Sequence, residues 1–289
     1  MFRAMSPTAP IGIFDSGLGG LAVLREVQRL LPHENILFLG DTARQPYGPR
    51  TVEEVRRYSI EISGYLIEQG AKMILIGCNT ASVAGGDAAQ ACFPDTPILG
   101  MIRPGVVRAM QTTRTKRIGV WGTEITIASH AYEQALVQAD PDVKTLGVAC
   151  PTLLRLAEKG NIENKPHLLE LAAQDFKPIA DFQADTLVLG CTDFTCVRDV
   201  IDQVVDGRAV IVDPAEEIVR EAYHVLGQNG GLNLLETQGA MKFVITSDEL
   251  ENFSTFGAKF LNLPHIQVDL VHLEDVERAG TSRSITPIE

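Results

Sequence analysis

The 289-residue sequence has no long hydrophobic run and no excess of basic residues. No stretch approaches the roughly 18 consecutive apolar residues of a membrane helix, and the first seven residues contain no apolar signal core. The net charge is −12, from 25 basic and 37 acidic residues, whereas binding to nucleic acid or acidic membranes needs a basic surface. We therefore expect a cytosolic protein that binds neither nucleic acid nor membrane.

Patterns for disulfides, metals and cofactors are equally sparse. The five cysteines are an odd number in a long chain and form no Cys-x-x-Cys pair, which argues against a disulfide framework. No Cys or His cluster has the spacing of a metal site, and none of the six histidines lies in a recognisable hydrolase motif. The dinucleotide glycine motif, the P-loop lysine and a pyridoxal-type lysine motif are missing as well. The sequence predicts no metal and no organic cofactor.

Short runs rich in β-branched residues and leucine alternate with helical patterns along most of the chain. Such runs are typical of buried strands in parallel sheets, and 45% hydrophobic residues can form a core around them. Beyond residue 215 we expect a helix from Ala215 to Leu226, a helix around 250–261 and a loose tail from about Arg278. The predicted strands are 11–14, 36–39, 73–76, 118–121, 186–189, 210–212 and 241–245.

Part of this pattern occurs twice. Residues 71–81 are similar in sequence to residues 184–194, at an offset of 191 − 78 = 113. Residues 11–15 are similar to residues 118–122, at an offset of 118 − 11 = 107. Two similar offsets predict two related α/β lobes, each a mostly parallel sheet flanked by helices, so that cysteines at matching strand ends can face each other across a cleft. The predicted lobes are 1–104 plus 216–289, and 105–215.

The repeated segments place Cys78 and Cys191 at the carboxyl ends of two strands, where open α/β sheets hold their ligands. A single buried cysteine is usually inert, but two thiols at matching positions can act on opposite faces of one carbon. One would remove a proton and the other would supply one, which inverts the carbon. Cys92, Cys150 and Cys196 have no such setting, and we interpret them as structural.

Two loops predict ligand contacts in the first lobe. Residues 15–20 follow a strand and open a helix, and their glycines expose backbone N–H groups that favour a carboxylate. Asp15 can equally serve as the N-cap of the helix that follows, instead of binding a ligand. The loop 40–50 is rich in Pro and Gly, which favours a binding role for Tyr47 and Gly48, whereas Asp41 or Arg50 can simply cap or pair at the surface.

These motifs resemble the glutamate racemase family, cofactor-independent bacterial enzymes that make D-glutamate for peptidoglycan. Similarity extends from about residue 10 to 264. The motifs that carry it are 15–20, 41–50, 78–82, 100–105, 149–151 and 190–192.

The resemblance implies an α/β fold of two pseudo-symmetric lobes with the active site in the cleft between them. It also implies a role for each matching residue. Cys78 would be the base for D-glutamate and Cys191 the base for L-glutamate, with Asp15 assisting Cys78 and Glu158 assisting the other side. Glutamate would be the small-molecule substrate, and a homodimer is compatible with the sequence. The residues implied to hold substrate are Asp15, Ser16, Pro46, Tyr47, Gly48, Asn79, Thr80, Thr123 and Thr192.

One residue departs from the family pattern. The family usually continues Cys-Thr-His, whereas Asp193 occupies the histidine position here. An ionised Asp193 would raise the pKa of Cys191, although as an acceptor it can orient the thiol or take its proton. Relatives in the wider aspartate/glutamate racemase superfamily place a glutamate there. Two alternatives therefore stay open: a racemase for aspartate or another amino acid, and a catalytically weak binding protein.

Overall fold

The computed structural model describes residues 5–158 and 160–281. Within these residues, ten strands form two sheets, and all the paired strands are parallel. The predicted α/β class is confirmed. The strands are β1 (Ile11–Asp15), β2 (Ile36–Gly40), β3 (Met73–Ile76), β4 (Ile98–Leu99), β5 (Arg117–Gly122), β6 (Lys144–Ala149), β7 (Thr186–Gly190), β8 (Val210–Val212), β9 (Met241–Ile245) and β10 (Val268–Leu270).

Helices connect these strands. The helices of the described chain are α1 (Leu21–Leu30), α2 (Val52–Glu68), α3 (Asn79–Cys92), α4 (Ile102–Thr112), α5 (Glu124–Ala128), α6 (Ala131–Ala139), α7 (Pro151–Glu158), α8 (Lys165–Asp181), α9 (Arg198–Val205), α10 (Pro214–Gln228), α11 (Leu250–Phe260) and α12 (Leu273–Thr281). None of these helices combines the length and apolar character needed to cross a membrane.

The two sheets share one topology. The order β2-β1-β3-β4 in the first sheet corresponds to β6-β5-β7-β8 in the second. The echoed segments are β1 and β5 in one pair and β3 and β7 in the other, so the predicted internal repeat is confirmed. In the first sheet β9 and β10 extend this unit, because β9 pairs with β2.

Helices cover both faces of each sheet. Side chains of α1, α10 and α11 form the core on one face of the first sheet, and those of α2, α3 and α12 form it on the other. The second sheet is covered by α7, α8 and α9 on one face and by α4 and α6 on the other. Burial on both faces explains why the central strands are continuously apolar instead of alternating.

The chain after residue 215 differs from the prediction at its end. Helix α12 continues through Thr281, so the loose tail expected from Arg278 is wrong as far as residue 281. Close packing explains the order: a Cβ on Gly64 of α2 would lie 2.7 Å from the Ala279 carbonyl oxygen. Residues 1–4 and 282–289 lie outside the described residues, and the lobe boundaries at 104/105 and 215/216 stay a prediction.

Candidate active site

Cys78 and Cys191 occupy equivalent places in the two sheets. Cys78 follows β3 and is the N-cap of α3, and Cys191 follows β7 and precedes a 3₁₀ helix (Thr192–Val197). Both residues are buried. Because β3 and β7 are related by the internal repeat, the fold presents one thiol from each sheet.

The surroundings of both thiols favour the protonated form. Burial and then the charge of Asp15 raise the pKa of Cys78, although N–H groups of Ala81 and Ser16 oppose this by binding its sulfur. Burial and then the charge of Asp193 raise the pKa of Cys191, and a charge on Cys78 raises it further. The two thiols therefore titrate in a shared electrostatic environment.

Asp15 links the two lobes. Its Oδ1 accepts the Gly17 N–H at 2.8 Å, and its Oδ2 accepts the Thr192 hydroxyl at 3.3 Å. The N-cap of α1 is Gly20, so Asp15 binds loop amides instead of serving as the N-cap residue. Burial raises the pKa of Asp15 to about 6, against hydrogen bonds that lower it.

The glycine-rich turn contacts the loop that carries Cys191. A Cβ on Gly19 would lie 2.5 Å from the Thr192 hydroxyl oxygen and 2.9 Å from an Asp193 carboxylate oxygen. Only glycine permits this approach without displacing those side chains. The turn thus brings Asp15 and Ser16 beside the second lobe.

Asp193 is the hydrogen-bond acceptor of the second thiol. The Cys191 sulfur donates to its Oδ2 at 3.5 Å. Burial, the charge of Asp15 and the charge of Glu158 raise the pKa of Asp193. None of the six histidines, all of which lie in the described ranges, lines the adjoining cavity.

Glu158, the last residue of α7, lies on the Cys191 side. Its charge raises the pKa of both Cys191 and Asp193, and the assisting role that the resemblance implies for it stays a prediction. Asp193 and Glu158 are therefore the acidic residues that act on the second thiol, and Asp15 acts on Asp193 and on Cys78.

Threonine hydroxyls connect the lobes on another side of the site. Thr80 and Thr123 are 2.9 Å apart between hydroxyl oxygens, and Thr123 is 3.0 Å from Thr126. A Cβ on Gly48 would lie 3.6 Å from the Thr123 Cβ, so the loop 40–50 contacts this chain of hydroxyls. Asn79 lies next to Thr80 in the first turn of α3 and accepts the Tyr132 hydroxyl at 2.7 Å.

The side chain of Tyr47 belongs to the fold. It is 1% exposed, its hydroxyl donates to Asp41, and its ring lies 5.5 Å from that of Tyr58 between centroids. For ligand binding this leaves the backbone of Pro46, Tyr47 and Gly48. Asp41 is fully buried, so the surface role that the sequence left open for it is wrong.

A cavity of about 830 Å³ lies between the lobes. The predicted site residues on its wall are Pro46, Gly48, Thr123 and Glu158. Neither Cys78 nor Cys191 is on the wall, and both are buried. Among residues 5–158 and 160–281, no three His, Cys, Asp or Glu side chains are arranged as a metal site.

Comparison with known proteins agrees with this arrangement. The family described as Asp/Glu/Hydantoin racemase matches residues 11–222. A glutamate racemase of Levilactobacillus brevis is 41% identical over 254 residues, which cover 88% of this chain and 91% of that protein. The chain belongs to the Asp/Glu/hydantoin racemase family, among its glutamate racemases. It is an amino-acid racemase.

Solved structures support the same assignment for this racemase. A glutamate racemase isoform of Bacillus anthracis superimposes with a TM-score of 0.86 at 34% identity, covering 92% of this chain and 98% of that one. The glutamate racemase of Francisella tularensis, solved with D-glutamate, superimposes with a TM-score of 0.85 at 28% identity, covering 93% and 99%. The shared fold covers both lobes and therefore the whole candidate site.

Proposed function

We propose that this racemase interconverts L- and D-glutamate by proton transfer between Cα and two thiols. The observation that carries the proposal is the presence of Cys78 and Cys191 at equivalent strand ends, in one electrostatic environment. The glutamate racemases among its relatives support the choice of substrate. A role in supplying D-glutamate for peptidoglycan belongs to the same proposal.

In the proposed reaction one cysteine acts as a thiolate and the other as a thiol. The thiolate takes the Cα proton from one face, and the electron pair of the broken C–H bond remains on Cα and its carboxylate. The opposite thiol then donates its proton to the other face, so one proton leaves and one arrives. We assign Cys78 as the base for D-glutamate, assisted by Asp15, and Cys191 as the base for L-glutamate, assisted by Asp193 and Glu158.

We assign substrate binding to polar groups from both lobes. They surround the two thiols and supply hydroxyl, amide and backbone groups for two carboxylates and an ammonium. The proposed binding residues are Asp15, Ser16, Pro46, Tyr47, Gly48, Asn79, Thr80, Thr123 and Thr192. Cytosolic location and a homodimer stay predictions.

Circular dichroism of L- and of D-glutamate tests this function, with a parallel series on aspartate and other amino acids. We expect both glutamate enantiomers to lose their signal and both to gain deuterium at Cα in D₂O. Turnover of aspartate but not glutamate would favour the alternative substrate, and binding without deuterium exchange would favour a binding protein.

Removing metal is expected to leave activity unchanged, because the proposed bases are side chains of the protein. Activity should survive dialysis against a chelator, with no absorbance of pyridoxal phosphate. Loss of activity that one specific metal restores would contradict the proposed mechanism.

Asp193→His is expected to lower the pH optimum and to raise kcat/KM at neutral pH by about 10-fold. The raised pKa values of Cys191 and Asp193 mean that their deprotonated forms need a higher pH. A histidine would remove one buried negative charge and, as a cation, lower the pKa of Cys191. The measurement is a pH profile of kcat/KM in both directions, which must be equal because the enantiomers have equal free energy in water.

The control for this variant is Asp181→His, since Asp181 is an exposed residue of α8 that pairs with Lys177. It should leave the profile unchanged. If Asp193→His instead shows the wild-type optimum and lower activity, the aspartate is the better-adapted residue at this position.

A further inference from the structure

We propose that Tyr132 is a positioning residue that turns the Asn79 amide so that its NH₂ group faces the substrate. Tyr132 lies in α6 of the second lobe and Asn79 in α3 of the first, and both are buried. The Tyr132 hydroxyl donates to the Asn79 Oδ1 at 2.7 Å. Asn79 directly follows Cys78, so the inference rests on the proposed function of that thiol.

The other end of the Asn79 amide points to a missing acceptor. Its Nδ2 is buried and has no hydrogen-bond partner within the described protein. A buried donor without an acceptor is costly and rare in native structures. A carboxylate of bound glutamate is an acceptor of the right kind, and a donor beside Cys78 lies next to the position proposed for the reacting carbon.

The Tyr132 hydroxyl decides which end of the amide is left for the substrate. The hydroxyl has a single hydrogen, and it donates that hydrogen to Asn79. With the amide rotated by 180°, the hydroxyl would accept from Nδ2 and its own hydrogen would lose that acceptor. Oδ1 would then meet the substrate carboxylate, acceptor against acceptor. The tyrosine therefore selects the orientation that offers a donor.

Close packing holds Tyr132 in place for this task. A Cβ on Gly105 would lie 3.2 Å from its hydroxyl oxygen, and a Cβ on Gly190 would lie 3.4 Å from its ring. Burial, followed by the charges of Asp213 and Cys191, raises the pKa of Tyr132, so the hydroxyl keeps its hydrogen at neutral pH. Gly190 directly precedes Cys191, and the same ring thus adjoins both cysteine loops.

Tyr132→Phe tests the proposal because it removes the hydroxyl and keeps the ring. We expect KM to rise about 10-fold for both glutamate enantiomers with kcat changed less than about threefold, because the carboxylate contact is present in ground state and transition state alike. A purely structural role would lower the amount of active enzyme and hence kcat, with KM unchanged. Tyr223→Phe is the matched control, since Tyr223 is a half-exposed tyrosine of α10, and its kinetics should equal those of the wild type.

A second comparison isolates the pair. In an Asn79→Ala background, Tyr132→Phe should raise KM no further, because the amide that it orients is gone. An unchanged KM in Tyr132→Phe, or an equal rise in both backgrounds, would overturn the proposal. If Tyr132→Phe does not fold, Asn79→Asp replaces the NH₂ donor by an oxygen and should raise KM at least 10-fold, and an unchanged KM there would also overturn it.

The same assays separate this inference from the function on which it rests. Turnover of glutamate by wild type and Tyr223→Phe, with a normal KM in Tyr132→Phe, would refute the positioning role alone. Absence of glutamate turnover in the wild type would refute the proposed function, and the positioning role with it.

Discussion

Cys78→Ala and Cys191→Ala are each expected to lower kcat/KM for racemisation by at least about 1000-fold, equally in both directions. Each variant lacks the only group proposed to hold a proton on one face of Cα. In this scheme neither Asp15 nor Asp193 replaces the missing thiol. Asp15 accepts hydrogen bonds from the Gly17 N–H and the Thr192 hydroxyl, and Asp193 accepts one from the Cys191 thiol. Circular dichroism with each enantiomer measures the loss.

Deuterium exchange distinguishes a missing base from a damaged fold. Cys191→Ala retains Cys78, so D-glutamate should still exchange its Cα hydrogen with D₂O although it is not converted to L-glutamate. Cys78→Ala should show the reverse. Cys92→Ala is the control, because Cys92 lies at the far end of α3 from Cys78 and should leave racemisation nearly intact. Substantial racemisation by either active-site variant would rule out the two-thiol mechanism.

Arg44→Met is expected to lower the free energy of unfolding by about 3–5 kcal/mol, the cost of breaking a buried ion pair on one side. The Arg44 guanidinium binds Asp41 at 2.7 Å and Glu61 at 2.5 Å, and all three side chains are at most 9% exposed. Without the Arg44 cation, the carboxylates of Asp41 and Glu61 would remain buried but would lose this ion pair. Urea denaturation followed by far-UV circular dichroism measures the change.

Arg57→Met is a closely matched control. Arg57 also pairs with Glu61, at 3.5 Å, and both arginines lie over the ring of Tyr58, but the Arg57 side chain is 60% exposed. Its loss should cost less than about 1 kcal/mol. Equal effects of the two substitutions would show that burial does not determine the strength of this network.

The network also holds the loop that reaches the site. Asp41 accepts hydrogen bonds from the Tyr47 hydroxyl and, at 3.0 Å, from the hydroxyl of Thr246, which directly follows β9. The folded fraction of Arg44→Met should therefore bind glutamate more weakly and show a higher KM, because the backbone of Pro46 to Gly48 loses its support. Arg57→Met should not change KM.

Most strands and both thiols could be predicted from the sequence. The strands β1, β2, β3, β5, β7, β8 and β9 lie where short apolar runs predicted them, since strands buried on both faces need continuous apolar residues. The strands β4 and β10 were missed because they have two and three residues. The strand β6 was missed because it is a half-exposed edge strand without a continuous apolar run.

The sequence by itself determined the duplicated α/β pattern and the matching settings of Cys78 and Cys191, because both are local and recur at a similar offset. Only the tertiary structure decided that Arg44 forms buried ion pairs with both Asp41 and Glu61. It also decided that the Tyr132 hydroxyl binds Asn79. Tyr132 and Asn79 are 53 residues apart and lie on different lobes. No periodicity encodes such a pair, since the distance between the two residues depends on how the two sheets and their helices pack against each other.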